Sequence, residues 1–213
     1  MYKLFSSAIL ILIFVTSGLS QDKKFRLGLE TGVKLSQIDG DNLAGFKKSG
    51  YSFGLLGGYR FNSAYNFVTG FYFEQTGSNR QGEKAPLLSG NYLAEIDIKQ
   101  VSVLFAMSRS FGEDWDGTYR YRALAGIKYN RIMSTNSNLS SSNVNEKFEM
   151  TESDFRSAYL GLNLSGGIRL HNRFWLMGTY EHALNSILAK DSEAPFSRLI
   201  PFTFTASLVY YIL

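Results

Sequence analysis

The 213-residue chain has no cysteine, only 3 prolines and only 2 histidines. Without cysteine there is no disulfide scaffold, no thiolate-held zinc or iron–sulfur centre, and no cysteine nucleophile. Neither sign of charge dominates: 22 basic residues face 18 acidic ones, for a net +4. No basic run stands out, so nucleic acid is not an expected partner. Beyond the N-terminus no apolar run is long enough for a membrane helix. Stretches with helical amphipathic spacing are missing too, and so are P-loop and dinucleotide glycine patterns. No cofactor and no metal are expected. What remains is 45% hydrophobic and 15% aromatic, with 20 glycines. That is too apolar for a disordered chain, and the length suits one domain or two small ones.

The first segment reads as an address. Lys3 precedes an apolar stretch centred on Ala8–Val15, and Gly18 and Ser20 are small residues placed for cleavage before Gln21. This is the tripartite secretory pattern. Ala8–Val15 is too short for an anchor, which takes about 20 residues. The pattern predicts a cleaved signal over residues 1–20 and a mature domain over 21–213. A secreted chain without cysteine suits a bacterial envelope.

The mature chain alternates with period two. From Phe25 to Ser36 one face is Phe25, Leu27, Leu29, Thr31, Val33 and Leu35, and the other is Arg26, Gly28, Glu30, Gly32, Lys34 and Ser36. Successive strand side chains point to opposite faces, so such a strand is greasy on one side and polar or small on the other. The same pattern recurs over Tyr51–Phe61, Tyr65–Gly77, Tyr119–Asn130, Ala158–Leu170, Phe174–Leu184 and Ile200–Leu213. Between Tyr92 and Met107 the phase breaks: Ala94, Ile96 and Ile98 share one parity, while Val101, Val103 and Phe105 share the other. A bulge near Lys99-Gln100 would restore a single apolar face. Each strand is long enough to cross a bilayer when tilted, which takes about 9–11 residues.

Connections of unequal length decide the architecture. Polar connections at 37–49, 79–91, 134–154 and 185–198 alternate with shorter ones at 62–64, 108–117 and 171–173. Membrane barrels alternate in this way, with short turns toward the periplasm and longer loops outside. The expectation is an all-β, eight-stranded, antiparallel up-and-down transmembrane β-barrel in the outer membrane of a Gram-negative bacterium. Its outer face would meet outer-membrane lipids. Tyr and Phe near strand ends (Tyr51, Tyr59, Phe61, Tyr65, Tyr119, Tyr121, Tyr129, Phe174, Tyr180, Phe202, Tyr210) would form the two interfacial girdles. The other face carries Arg26, Glu30, Lys34, Arg60, Glu74, Arg120, Arg122, Lys128, Arg169 and Glu181. Eight strands leave an interior just wide enough for side chains. Buried charges need partners, so these residues are expected to form Arg/Lys–Glu networks that plug the lumen.

The stretch Phe-Arg-Leu-Gly-Leu-Glu-Thr-Gly-Val-Lys-Leu-Ser-Gln-Ile-Asp-Gly-Asp, residues 25–41, resembles the opening strand and first loop of a Bacteroidetes outer-membrane β-barrel family often labelled PorT-like. The hairpin from Gly50 through Phe73-Glu74-Gln75-Thr76-Gly77-Ser78 is similar too. The resemblance implies an eight-stranded outer-membrane barrel, with a role in export or assembly by analogy, and carries over no catalytic residue. The Tyr210-Tyr211-Ile212-Leu213 ending departs from the terminal Phe or Trp of many outer-membrane barrels.

Other motifs read as structural. His182, beside Glu181, would need a neighbouring serine to act as a hydrolytic base. His171 falls in a turn. Asp39-Gly40-Asp41-Asn42 starts like a calcium loop but lacks the downstream Glu, and reads as an Asx-rich turn. Trp115, within Glu113-Asp114-Trp115-Asp116-Gly117, reads as an interfacial anchor, and Asn138-Leu139-Ser140 matches a glycosylation sequon without bacterial context. The leading functional reading is a non-enzymatic barrel meeting envelope proteins through loops 37–49, 79–91, 134–154 and 185–198. A soluble lipocalin-like barrel with its faces inverted, binding a small apolar ligand, is the alternative. A lipid hydrolase or acyltransferase is the third reading.

Overall fold

In the computed structural model, which describes residues 24–41, 43, 45–79, 92–115, 117–141, 150–192 and 194–212, the alternating segments become strands. They are β1 (Phe25–Asp39), β2 (Lys48–Arg60), β3 (Tyr65–Ser78), β4 (Tyr92–Glu113), β5 (Tyr119–Ser141), β6 (Ala158–His171), β7 (Phe174–Ala183) and β8 (Ile200–Tyr211). Each pairs antiparallel with the next, and β8 pairs with β1 from Tyr211↔Gly28 to Ile200↔Asp39, which closes the barrel. Closure satisfies the backbone of every strand and leaves no edge. The expected signal segment, residues 1–20, lies outside the described residues, as do 80–91 and 142–149 within two expected loops.

Two boundaries shift. Strand β5 runs on to Ser141 and pairs there with Tyr92, so residues expected in the loop 134–154 extend the β4–β5 ladder. Strand β4 runs on to Glu113, so the connection expected over 108–117 tightens to residues 114–118. Short turns therefore gather at one rim, 61–64, 114–118 and 172–173, and the long connections at the other. By the barrel rule the short-turn rim is periplasmic.

The expected phase break in β4 is resolved differently. Ile96, Ile98, Gln100, Ser102, Leu104 and Ala106 are all buried, so even positions face the lumen throughout. The register does shift opposite Lys99/Gln100, but Lys99 pairs with Ser134 and Gln100 with Ile132, which makes Met133 of β5 the extra residue. The bulge flips β5 instead: Lys128 and Asn130 point inward below it, and Thr135 and Ser137 turn inward above it. Ile96 and Ile98 are apolar because the lumen itself turns apolar near the long-loop rim.

The outer wall is a band of exposed aliphatic and aromatic side chains, among them Val33, Phe53, Phe71, Phe105, Ile127, Leu164, Leu176 and Phe204. Aromatic contacts mark both margins. At the short-turn rim, Phe25 packs on Tyr59 and Tyr59 on Phe61, and Phe174 on Tyr210. At the other rim Tyr51 meets Phe73, and His182 lies between Tyr180 and Phe202. Rings with one wet edge favour those levels. Apolar residues face outward and charges face inward, which is the reverse of a lipocalin-like barrel.

Candidate functional site in the lumen

The lumen is layered. Uppermost, under the long-loop rim, Ile38, Ile96, Ile98, Met150, Phe155, Tyr159, Ile187, Leu188, Phe196 and Leu199 form one apolar cluster. Its upper half comes from residues 150–157, 184–192 and 194–199, which lie against the barrel's Ile38, Ile96 and Ile98. A bridge joins Phe155 to Leu188, Arg156 N donates to Ile187 O (2.8 Å), and Ala189 N donates to Asp154 O (2.8 Å). Asp154, in the one-turn 3₁₀ helix Glu152–Asp154, accepts from Ser192 Oγ at 2.7 Å. Burial acts against ionisation of this carboxyl, but hydrogen bonds from Ser192 and Thr151 prevail and hold it below the usual carboxylate value.

Below the cap lies the ionic centre. Glu74 of β3, Lys128 of β5, Glu181 of β7 and Lys34 of β1 are all fully buried. Lys128 Nζ lies 2.7 Å from Glu74 Oε2 and 3.1 Å from Glu181 Oε2. Lys34 Nζ lies 3.1 Å from Glu74 and 3.8 Å from Glu181. The remaining lone pairs are filled: Ser52 and Ser102 donate to Glu74 (2.9 and 3.0 Å), and Asn130 donates to Glu181 (2.8 Å). Gln100 donates to Asn130 (3.0 Å) and accepts from Tyr159 (2.9 Å), which ties the centre to the cap. Two cations thus meet two anions whose oxygens accept further hydrogen bonds, the setting in which buried charge is tolerated; Lys34 Nζ takes part through its ion pairs alone. Glu30 stands beside them, accepting from Tyr72 (2.9 Å) and Ser207 (2.6 Å). The Tyr72 ring lies 4.7 Å under Lys128 Nζ.

Lower still, Leu56, Val68, Leu104, Ala106, Trp175, Met177 and Val209 form an apolar belt. A cavity of about 40 Å³ runs between this belt, the ionic centre and Arg122.

Of the ten residues expected in one charge network, the structure brings five together: Lys34, Glu74, Lys128 and Glu181, with Glu30 alongside. The arginines do not join them. Arg122 lies six positions below Lys128 on β5, roughly 20 Å at about 3.3 Å per residue. Arg120 and Arg169 reach Asp114 in the periplasmic turn instead, each at 3.8 Å. Arg26, Arg60 and Arg122 form no ion pair among the described residues. Alternation gives the face of a side chain but not its depth, so the sequence could not separate these layers.

The other singled-out residues take structural places. His182 is stacked in the outer aromatic rim, and its Nδ1 has no hydrogen-bond partner to orient it as a base. Trp115 is fully exposed at the tip of turn 114–118. Asp41 is buried, and its Oδ1 accepts from Leu43 N at 2.8 Å. Burial pushes its carboxyl up to about 6. Asn42 lies outside the described residues. Among those described, no group of three or more His, Asp or Glu gathers to hold a metal ion.

The match to a family model agrees with this architecture. Residues 19–189 match the model of a family described as outer membrane protein beta-barrel domain. No curated protein matches the chain. Among solved structures, the attachment invasion locus protein Ail of Yersinia pestis is 16% identical over 89% of this chain and 99% of its own, with a TM-score of 0.49. Neisserial surface protein A is 11% identical over 86% of this chain and 96% of its own, at 0.45. The N-terminal β-barrel domain of Pseudomonas aeruginosa OprF is 8% identical over 87% and 97%, at 0.41. With four-fifths of its length matched by that one model and a closed eight-stranded barrel to carry it, the chain belongs to the outer membrane protein β-barrel domain family, and its place is the Gram-negative outer membrane.

Proposed function

We propose that this protein is a non-enzymatic outer-membrane barrel with a plugged lumen, whose folded long-loop end meets envelope partners. The observation that carries this reading is the apolar cap. Met150, Phe155, Ile187, Leu188, Phe196 and Leu199 share one core with Ile38, Ile96 and Ile98 of the barrel wall. A connection that serves only as a tether has no need of such a core. One that must present a fixed surface gains from it, because a pre-ordered surface loses less entropy on binding. At the surface of the same rim Arg198 pairs with Asp39 at 3.2 Å. Beneath the cap the ionic centre stands across the bore, and the cavity of about 40 Å³ below it has room for a few waters rather than a solute stream, which supports the plug. The resemblance to the PorT-like barrels supports placing the partners in protein export or assembly, by analogy.

Planar-bilayer recording tests the plug. The monomeric barrel is expected to give no large, stable conductance, and such a conductance would overturn the reading. A strain lacking the protein tests the export role: unchanged secretion removes it and leaves a structural envelope role.

A further inference from the structure

We propose that the periplasmic end of the lumen is a binding site for a phosphate-type oxyanion, held by Arg26 and Arg122, which both approach the ring of Tyr211. This site lies at the opposite end of the barrel from the cap and does not depend on it.

Arg122 is 4% exposed. Its guanidinium lies 4.2 Å from the Trp175 ring centroid and 5.2 Å from that of Tyr211, and Nη1 donates to the Tyr211 hydroxyl. Its Nε is buried with no hydrogen-bond partner. Arg26, from β1, lies 5.8 Å from the same Tyr211 centroid. Arg60, on the adjacent strand β2, also faces the lumen and also has a buried Nε without a partner. None of the three pairs with a carboxylate among the described residues. Of the three, Arg122 lines the lumen cavity, with Tyr211; Glu30 and Glu74 line it too, but Glu30 is taken by Tyr72 and Ser207, and Glu74 by Lys128, Ser52 and Ser102.

An arginine in a protein stays charged. The aromatic faces offset part of the cost of burying one, but they accept nothing from Nε. Two guanidinium groups drawn to one ring from different walls repel each other unless an anion stands between them. The ionic centre higher in the lumen shows how this chain treats buried cations that are purely structural: each lysine there has its carboxylates. The floor has the donors and lacks the acceptor. Guanidinium forks match the geometry of phosphate oxygens. The oxyanion comes either from a free periplasmic phosphate compound or from the headgroup of an inner-leaflet lipid curled over the rim.

Trp175 supplies the readout. The chain has 2 tryptophans, so a Trp115→Phe background isolates it. The barrel is folded in zwitterionic micelles and titrated with pyrophosphate at constant ionic strength, with chloride as the control. We expect a saturable change in Trp175 emission that chloride does not produce. Arg26→Gln, which leaves the Arg122–Trp175 stack in place, is expected to weaken binding at least about tenfold, as loss of one charge-assisted contact does. Arg122→Lys keeps the charge, loses the fork, and is expected to weaken it as well. A heat-dependent gel shift confirms that each variant is folded. A parallel titration with short-chain phosphatidylglycerol, against phosphatidylcholine, separates the sources: saturation by pyrophosphate alone assigns a free phosphate compound, and saturation by phosphatidylglycerol alone assigns a headgroup. If neither anion saturates, or if Arg26→Gln titrates like the parent, the site does not exist.

Discussion

Lys128 Nζ sits between two carboxylates, 2.8 Å from Glu74 Oε1 and 3.1 Å from Glu181 Oε2, with all three side chains sealed from solvent. Strands β3, β5 and β7 supply the three groups, so the contact ties alternate staves of the barrel together. Removing one partner strands the others. Glu74→Ala leaves Lys34 and Lys128 facing Glu181 alone, and truncating a buried ion pair costs about 3–5 kcal/mol. The double variant Glu74→Gln with Lys128→Met removes charge of both signs and is expected to recover much of that loss. Urea unfolding in lipid or detergent, followed by heat-dependent gel mobility, measures both. Equal destabilisation by the single and double variants would show that the centre is not held by charge pairing.

Asp41 makes the first long connection sensitive to pH. Its carboxyl titrates at about 6 in the folded chain because burial disfavours the anion, against an ordinary value of 3.8. A raised carboxyl is protonated in both states below the lower value. As pH rises from there to about 6 the unfolded form ionises more readily, so the stability of the folded connection falls and then levels off. Asp39 lies close enough to oppose the anion further, while Ser78 and Leu43 favour it. Asp41→Asn is expected to flatten this dependence and to protect residues 40–47 above pH 6. Amide exchange of that segment at pH 5 and pH 7 is the measurement. An unchanged pH response in Asp41→Asn would assign the dependence elsewhere.

Much of the barrel was legible because period-two alternation is a direct readout of sheet faces. Leu27, Leu29 and Val33 had to share a side whatever the fold, and strand length with loop alternation put that side in lipid. Depth was not legible. Ile96 and Ile98 broke the alternation because the cap lies inside the upper lumen, and a sequence cannot distinguish an apolar lid from a slipped register. The true slip, at Met133, fell in a polar stretch (Ser134, Asn136, Asn138) where no hydrophobic phase existed to reveal it. Likewise, Arg122 and Lys128 occupy the same face of β5, and only the pairing of all eight strands shows that one has carboxylates beside it and the other does not.

Tyr72 links the ionic centre to the lumen wall, and two glycines make room for it. A Cβ added at Gly54 would stand 2.4 Å from the Tyr72 ring, and one at Gly70 would stand 2.5 Å from it. The ring lies flat across both neighbouring positions, which lets its hydroxyl reach Glu30 and its face underlie Lys128. Gly70→Val is therefore expected to displace the ring and to cost about 1–3 kcal/mol, as overpacking in a tight core does. Tyr72→Phe keeps the packing and removes one donor from buried Glu30, at about 1–3 kcal/mol. The two effects share one contact, so they should not add: Gly70→Val in a Tyr72→Ala background should cost far less than in the parent. Unfolding midpoints of the four proteins complete the cycle. Strict additivity would mean that Gly70 is small for a reason other than Tyr72.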